Sequence, residues 1–317
     1  MPSPPVVEVA MPQPESRPGT LWPIDKLFIA YAAIMVCLLG FAARHDSFAL
    51  LLISGHVIMV GLIFILATNT LPAARFVRQW SLLVYLPFCY KQVPYLVSAL
   101  HLHLADFTLA HLDRAMWKVD PVFSLSSPPN HALTEFLEIV YVLFIPSTLL
   151  LGVILWVRKS GQEFRRGTFL IAITFLLSYL GYLLMPARGP RFMDYASSYP
   201  PLQGLWTFNF LKNLLDTLEG TQYDCFPSGH VAVVLVGAYV ARRISTRAFY
   251  CFAAFAACIT FSTVYLRYHY VIDVIAGMAL AVAVVTGGPW IYRKLDLIRA
   301  SVGYPVAESS APGSGDE

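Results

Sequence analysis

The strongest constraint on this chain is a succession of apolar runs, several close to the ~20 residues that a helix needs to cross a bilayer. In hydrocarbon every backbone N–H and C=O must be paired within the protein, so runs of this kind fold as helices. The expected fold class is therefore all-α, a polytopic membrane helix bundle of about eight spans. The runs are Leu27–Ala43, Phe48–Ala67, Trp80–Leu100, Phe136–Val157, Thr168–Met185, Gly229–Ala241, Ala248–Leu266 and Val271–Tyr292. The third contains Pro87, Lys91, Gln92 and Pro94 and is expected to kink or re-enter. The sixth is short, with Ile244 available to extend it. Composition agrees: 57% of residues are hydrophobic and 13% charged, against about 25% charged in soluble domains.

Lys and Arg in the short loops set orientation. Arg75 and Arg78 precede the third run, and Arg158, Lys159, Arg165 and Arg166 follow the fourth. Arg242, Arg243 and Arg247 join the sixth and seventh, and Arg293, Lys294 and Arg299 follow the eighth. Alternation across eight spans puts these clusters on one side with both termini. That side is read as the cytoplasm, in a multi-pass plasma (inner) membrane protein. The first run lies behind a Pro-rich segment and lacks a strongly basic leader, so it reads as an uncleaved anchor. Residues 1–20 and 300–317 read as disordered tails.

The opposite face carries two long segments. His101–His131, with the pattern LHLADFTLAHLDRAMW, reads as an amphipathic helix in the interface. Pro186–Pro227, with Trp206, Phe208, Phe210 and the helical NFLKNLLDTLEG, reads as a cover over a site. A net charge of +3 without a basic, aromatic-interleaved tract argues against a nucleic-acid partner. Four of the five cysteines lie in apolar runs and no Cys/His metal spacing is present, so neither cofactor nor metal is expected.

Three polar clusters fall at that same outer boundary: Pro186–Arg191 (PARGPR), Asp224–His230 (DCFPSGH) and Ser262–Asp273 (STVYLRYHYVID). His269 and Asp273 are four residues apart and share a helix face. A carboxylate on one imidazole nitrogen leaves the other free to attack. The same pair at a helix start is also what the helix dipole favours. Ser228, Gly229 and His230 open an apolar helix whose free N–H groups offer a phosphate seat. Ser228 would equally serve as a plain cap. His230 is placed to protonate a leaving alkoxide and later to activate water. Arg188, Arg191 and Arg267 can hold phosphate oxygens in bidentate fashion, or snorkel to lipid phosphates.

These segments resemble the type 2 phosphatidic acid phosphatase superfamily, whose pattern runs KxxxxxxRP, PSGH and SRxxxxxHxxxD. PSGH is complete at Pro227–His230, and Ser262, His269 and Asp273 match the third motif in spacing. Thr263 stands where the family has arginine, with Arg267 two residues before His269, and the position seven before Arg188 is Gly181 rather than Lys. PARGPR and YLRYHYVID are similar to the inositol phosphorylceramide synthase-like branch. The resemblance implies a six-helix core over residues 79–299, preceded by two spans over residues 21–78. It implies attack on phosphorus by His269, orientation of that ring by Asp273, and acid–base work by His230. The phosphate would be held by Ser228, Gly229, Arg188, Arg191 and Arg267, without metal. The implied activity is a lipid phosphatase or diphosphatase, or a headgroup phosphotransferase in which an alcohol acceptor replaces water. A transporter, with broken helices meeting at the midplane, is the reading from another class.

Other polar residues carry weaker signals. His101, His103 and His111 lack partners at firm metal-ligand spacing. Glu135 reads as a helix-start carboxylate. Glu138 lies deeper, where charges are costly, and is a candidate to pair with an arginine or receive an acceptor alcohol. His56 reads as a satisfied buried polar group.

Overall fold

The computed structural model describes residues 19–44, 46–219 and 223–298. The expected tails at 1–20 and 300–317 fall, but for Gly19 and Thr20, outside the described residues, as does Arg299. The described chain is helical throughout, with no strand among the described residues.

Helices α1 (Pro23–Ala42) and α2 (Phe48–Thr68) pack on each other, and α1 also lies on α10 (Gly161–Leu184) and α14 (Val271–Leu297). Phe28, Met35 and Leu39 of α1 join the same apolar core as Phe169 and Leu176 of α10. Pro72–Gln79 forms α3, whose Arg78 is not a loop charge. It is buried in an ion pair with Asp25 of α1, its guanidinium 4.0 Å over the Trp22 ring.

The third run is broken into α4 (Leu82–Tyr90) and α5 (Val93–Ala99). Pro94 cannot supply an N–H to a continuous helix. At the break Gln92 turns inward and pairs with His56 Nε2 at 2.9 Å, while Nδ1 of that buried histidine has no hydrogen-bond partner among the described residues. The fourth run is also bent, by 44°, between α8 (His131–Val142) and α9 (Phe144–Arg158).

Among the described residues, five helices are individually long and apolar enough to span a bilayer, or six if the bent α8–α9 pair is one span. These are α1, α2, α10, α13 (Thr246–Tyr265) and α14. The sixth run becomes α12 (Gly229–Ala241), which at 13 residues is shorter than a standard span. It packs against α9, α10, α13 and α14, which places it at the centre of the bundle. The segment between the third and fourth runs forms the amphipathic α6 (Asp106–Trp117) and the short α7 (Pro121–Leu125). The cover segment contains two 3-10 turns (Pro190–Phe192 and Asp194–Ser198) and α11 (Phe208–Glu219), which lies against α8.

Candidate active site

The three polar clusters meet at one end of the bundle, where α10 ends and α12 and α14 begin. Each helix start is fixed locally. Ser228 caps α12 by accepting from the Val231 N–H at 3.4 Å, while its own N–H donates to the Asp273 carbonyl at 3.0 Å. The second and third motifs are thus joined through backbone. Gly229 has to be glycine here, because a Cβ would collide with the Tyr182 hydroxyl. Gly189 has φ 99°, and a Cβ on it would stand 2.5 Å from the Tyr268 carbonyl.

His269 is buried at the mouth of α14. Its Nδ1 lies 2.8 Å from the Cys225 carbonyl. A carbonyl only accepts, so Nδ1 carries the proton and Nε2 keeps the lone pair. The nearest Asp273 oxygen is 3.7 Å from Nδ1, beyond a good hydrogen bond. That oxygen instead accepts from the Tyr270 N–H at 2.8 Å and the Cys225 thiol at 2.9 Å. The sequence pairing of His269 with Asp273 is therefore close in space, but the direct orienting contact belongs to Cys225. Burial, and then the neighbouring Asp273 carboxylate, push the Cys225 thiol well above its ordinary pKa, so it remains a protonated donor.

The His230 ring is 5.8 Å from that of His269, centre to centre. It is held between Tyr141, stacked at 4.5 Å with its hydroxyl 3.3 Å from Nδ1, and Phe144, also at 4.5 Å. Tyr141 stacks on Tyr268 as well, at 4.5 Å. The His230 imidazole is thus braced by aromatic rings beside His269.

The arginines divide. Arg191 reaches Asp216 of α11 at 2.9 Å and lies 4.6 Å over Tyr268, the residue before His269. Arg188 stacks on Phe192 at 4.6 Å. Arg267 turns elsewhere: its Nε and one terminal nitrogen donate to Ser126 at 2.9 and 3.3 Å, and it stacks on Phe123. With φ 64° it is a buried corner of the loop before His269, anchored to α7.

Four acidic residues shape this end of the bundle. On α6, Asp106 accepts from the N–H groups of Arg188 and Gly189 and from the Tyr270 hydroxyl. Seven residues on, Asp113 accepts from the N–H groups of Val271 and Ile272 at 2.7 and 2.8 Å, capping α14. Sequence reasoning assigned neither a role. The available signal was two carboxylates at a helical interval on the face that also buries Leu109 and Ala110. Glu135 of α8 accepts from the N–H groups of Leu205, Trp206, Thr207 and Phe208, and so clamps the start of α11. Glu138 accepts from the Tyr268 hydroxyl at 3.1 Å through both oxygens.

Metal-ligand atoms of Cys225, His269 and Asp273 lie within 4.8 Å of one another. A soft divalent ion bound there would have to displace the thiol proton and the Nδ1 hydrogen bond, and so compete with the imidazole geometry. His101, His103 and His111 do not join that group.

Fold and site together define a polytopic helical membrane protein with a buried His–His–Asp cluster at one end of its bundle. A family model described as the PAP2 superfamily matches residues 107–287, more than half of the chain and all three clusters. The chain belongs to this superfamily, whose members include lipid phosphatases and phosphotransferases. It is also similar to a protein of Bacteroides thetaiotaomicron named phosphoinositol dihydroceramide synthase, 28% identical over 160 residues. That match covers 46% of this chain and 52% of the relative, so the chain spans about half the length of the curated relative it matches. It agrees with the likeness to the inositol phosphorylceramide synthase-like branch. No solved structure matches.

Proposed function

We propose that this protein is an integral membrane phosphoesterase acting on lipid phosphates or diphosphates through a phosphohistidine on His269. The observation that carries this reading is the His269 hydrogen bond to the Cys225 carbonyl, with the His230 ring 5.8 Å away, centre to centre. Nε2 of His269 attacks phosphorus, the bond to the leaving alkoxide breaks, and His230 gives that alkoxide its proton. Water then loses a proton to His230 and attacks phosphorus; a P–O bond forms as the P–N bond breaks, which returns His269 and releases phosphate. Asp273 stabilises the charge that builds on the imidazole. Ser228, Gly229, Arg188 and Arg191 hold the phosphoryl oxygens. Arg267 positions the loop before His269 rather than adding a full fork to the phosphate.

The second reading is headgroup transfer, in which an alcohol replaces water in the second step. It is supported by the similarity to a protein named as a synthase. In both readings the core is residues 79–299, carried behind two accessory spans. The ionisable groups of the three motifs gather at one end of the helices rather than at a midplane, which favours an enzyme over a transporter.

Purified protein incubated with labelled lipid phosphates, with and without alcohol acceptors, distinguishes the outcomes by product. An acid-labile phosphoprotein should form and should vanish with turnover in His269→Ala. Wild-type rates in that variant would overturn the mechanism.

A further inference from the structure

A second polar site lies at the other end of the same helices. Residues of α9, α10, α12 and α14 enclose a cavity of about 290 Å³. Its floor is apolar, formed by Leu155, Leu170 and Val240. Arg166, Arg243 and Arg293 line its rim, each from a different part of the sequence. The one acidic lining residue is Glu163, paired with Arg166 at 3.2 Å. Three cations against one anion leave the cavity at +2. Among the described residues, the side chains of Arg243 and Arg293 have no ion-pair partner.

The positive-inside tendency accounts for arginines at this end of the bundle. It does not account for their convergence from separate helices on a walled cavity with an apolar floor. That combination suits an amphiphile with a phosphate. Arginine forks match phosphate oxygens bidentately, and the apolar floor excludes water from part of the cavity. A volume near 300 Å³ is at the lower end for small-ligand sites and fits a headgroup rather than a whole lipid. Basic pockets between membrane helices hold phospholipid headgroups by this chemistry.

We propose that this cavity binds the phosphodiester headgroup of an anionic phospholipid, at the end of the bundle remote from His230 and His269. The bound phosphate bridges Arg243, in the turn that follows α12, to Arg293 of α14. It thereby fixes the far ends of the two helices whose near ends carry the catalytic motifs. The site is independent of the activity proposed above and does not require it.

The test uses the full chain purified in neutral detergent and follows its melting temperature on addition of phosphatidylglycerol, phosphatidylcholine or inorganic phosphate. Phosphatidylglycerol should raise the melting temperature by about 5 °C at saturation. Phosphatidylcholine and an equal concentration of inorganic phosphate should do far less. Arg243→Gln with Arg293→Gln should weaken the phosphatidylglycerol response at least tenfold in concentration, while Arg158→Gln with Arg247→Gln should not. An equal response to phosphatidylcholine, or a double variant that responds as the wild type does, would overturn the proposal. An inorganic phosphate response matching that of the lipid would replace the lipid site with a free-phosphate site. If the double variant does not fold, a photoactivatable anionic phospholipid on the wild-type chain decides. Crosslinks should concentrate at 239–243 and 289–293, and labelling spread evenly around the bundle would refute the site.

Discussion

Asp273→Asn tests how the proposed nucleophile, His269, is governed. In a catalytic triad the carboxylate holds the imidazole tautomer, and its loss costs about 10⁴ in rate. Here the tautomer is held by the Cys225 carbonyl at 2.8 Å, which the substitution leaves in place. What Asn removes is the charge 3.7 Å from Nδ1. At that separation, with an effective dielectric of ~20, a full imidazolium and carboxylate attract by about 4 kcal/mol. Since each factor of ten is about 1.4 kcal/mol, full charge development would be worth roughly 10³, and partial development less. The expected loss is therefore about 10²–10³ in the rate of phosphoenzyme formation, measured by rapid quench with a labelled lipid phosphate. A thermal melt run alongside separates chemistry from folding, because Asp273 also accepts from Tyr270 and Cys225. A variant within about threefold of wild type would refute the electrostatic role. A variant as inactive as His269→Ala would show that Asp273, not the carbonyl, sets the tautomer.

Activity should survive EDTA, since no step assigned here uses a metal; loss on chelation, restored by zinc or magnesium, would move the chemistry onto a metal. Cysteines placed at Ser197 and Ser245 should report sidedness in sealed right-side-out vesicles, after checking native thiols. An impermeant reagent is expected to label position 197 and spare 245, and the reverse would put the site on the cytoplasmic leaflet. Burial raises the Asp113 carboxyl from 3.8 to about 6, against the lowering effect of the Val271 and Ile272 N–H groups. The folded state then holds this proton more tightly than the unfolded chain, so its contribution is complete below about pH 4 and lost as pH rises through 6. The full shift corresponds to roughly 3 kcal/mol, and solvent screening lowers the stability lost over that window to roughly 2 kcal/mol. Asp113→Asn should flatten that part of the melting-temperature profile, and an unchanged slope would rule out the assignment.

The sequence made the site legible where its geometry is local. His269 and Asp273 sit one helical turn apart, and Ser228, Gly229 and His230 follow one another at a helix start, so spacing alone brings each set together. The bundle was legible for the same reason, since an apolar run of sufficient length dictates its own hydrogen bonding. Contacts across long separations were not legible. Glu135 reads as a helix-start carboxylate, yet its partners are some seventy residues away, at Leu205–Phe208. Arg267 looks like a substitute for the family arginine until α7 brings Ser126 to its guanidinium. The broken third run was visible in Pro87, Gln92 and Pro94, but not the contact made at the break, Gln92 against His56.

The shortness of α12 accounts for the many carboxylates around a site proposed to bind phosphate. A 13-residue helix rises only about 20 Å, against a hydrocarbon thickness of about 30 Å. We propose that a bundle centred on α12 draws His230 below the headgroup layer, along with the irregular segments that carry the other motifs. Non-helical backbone at that depth has to be satisfied by protein. The acids supply those acceptors. Asp106 serves Arg188 and Gly189, Glu135 serves Leu205 through Phe208, and Asp113 serves Val271 and Ile272. Each turns its charge toward backbone N–H groups. Arg188 and Arg191 can then face phosphate beside these acids, and the covering segment can be irregular without leaving unsatisfied peptide groups in the membrane. On this view the acids are a consequence of recessing the chemistry, and replacing any one of them by an apolar residue should loosen the cover before it touches the imidazoles.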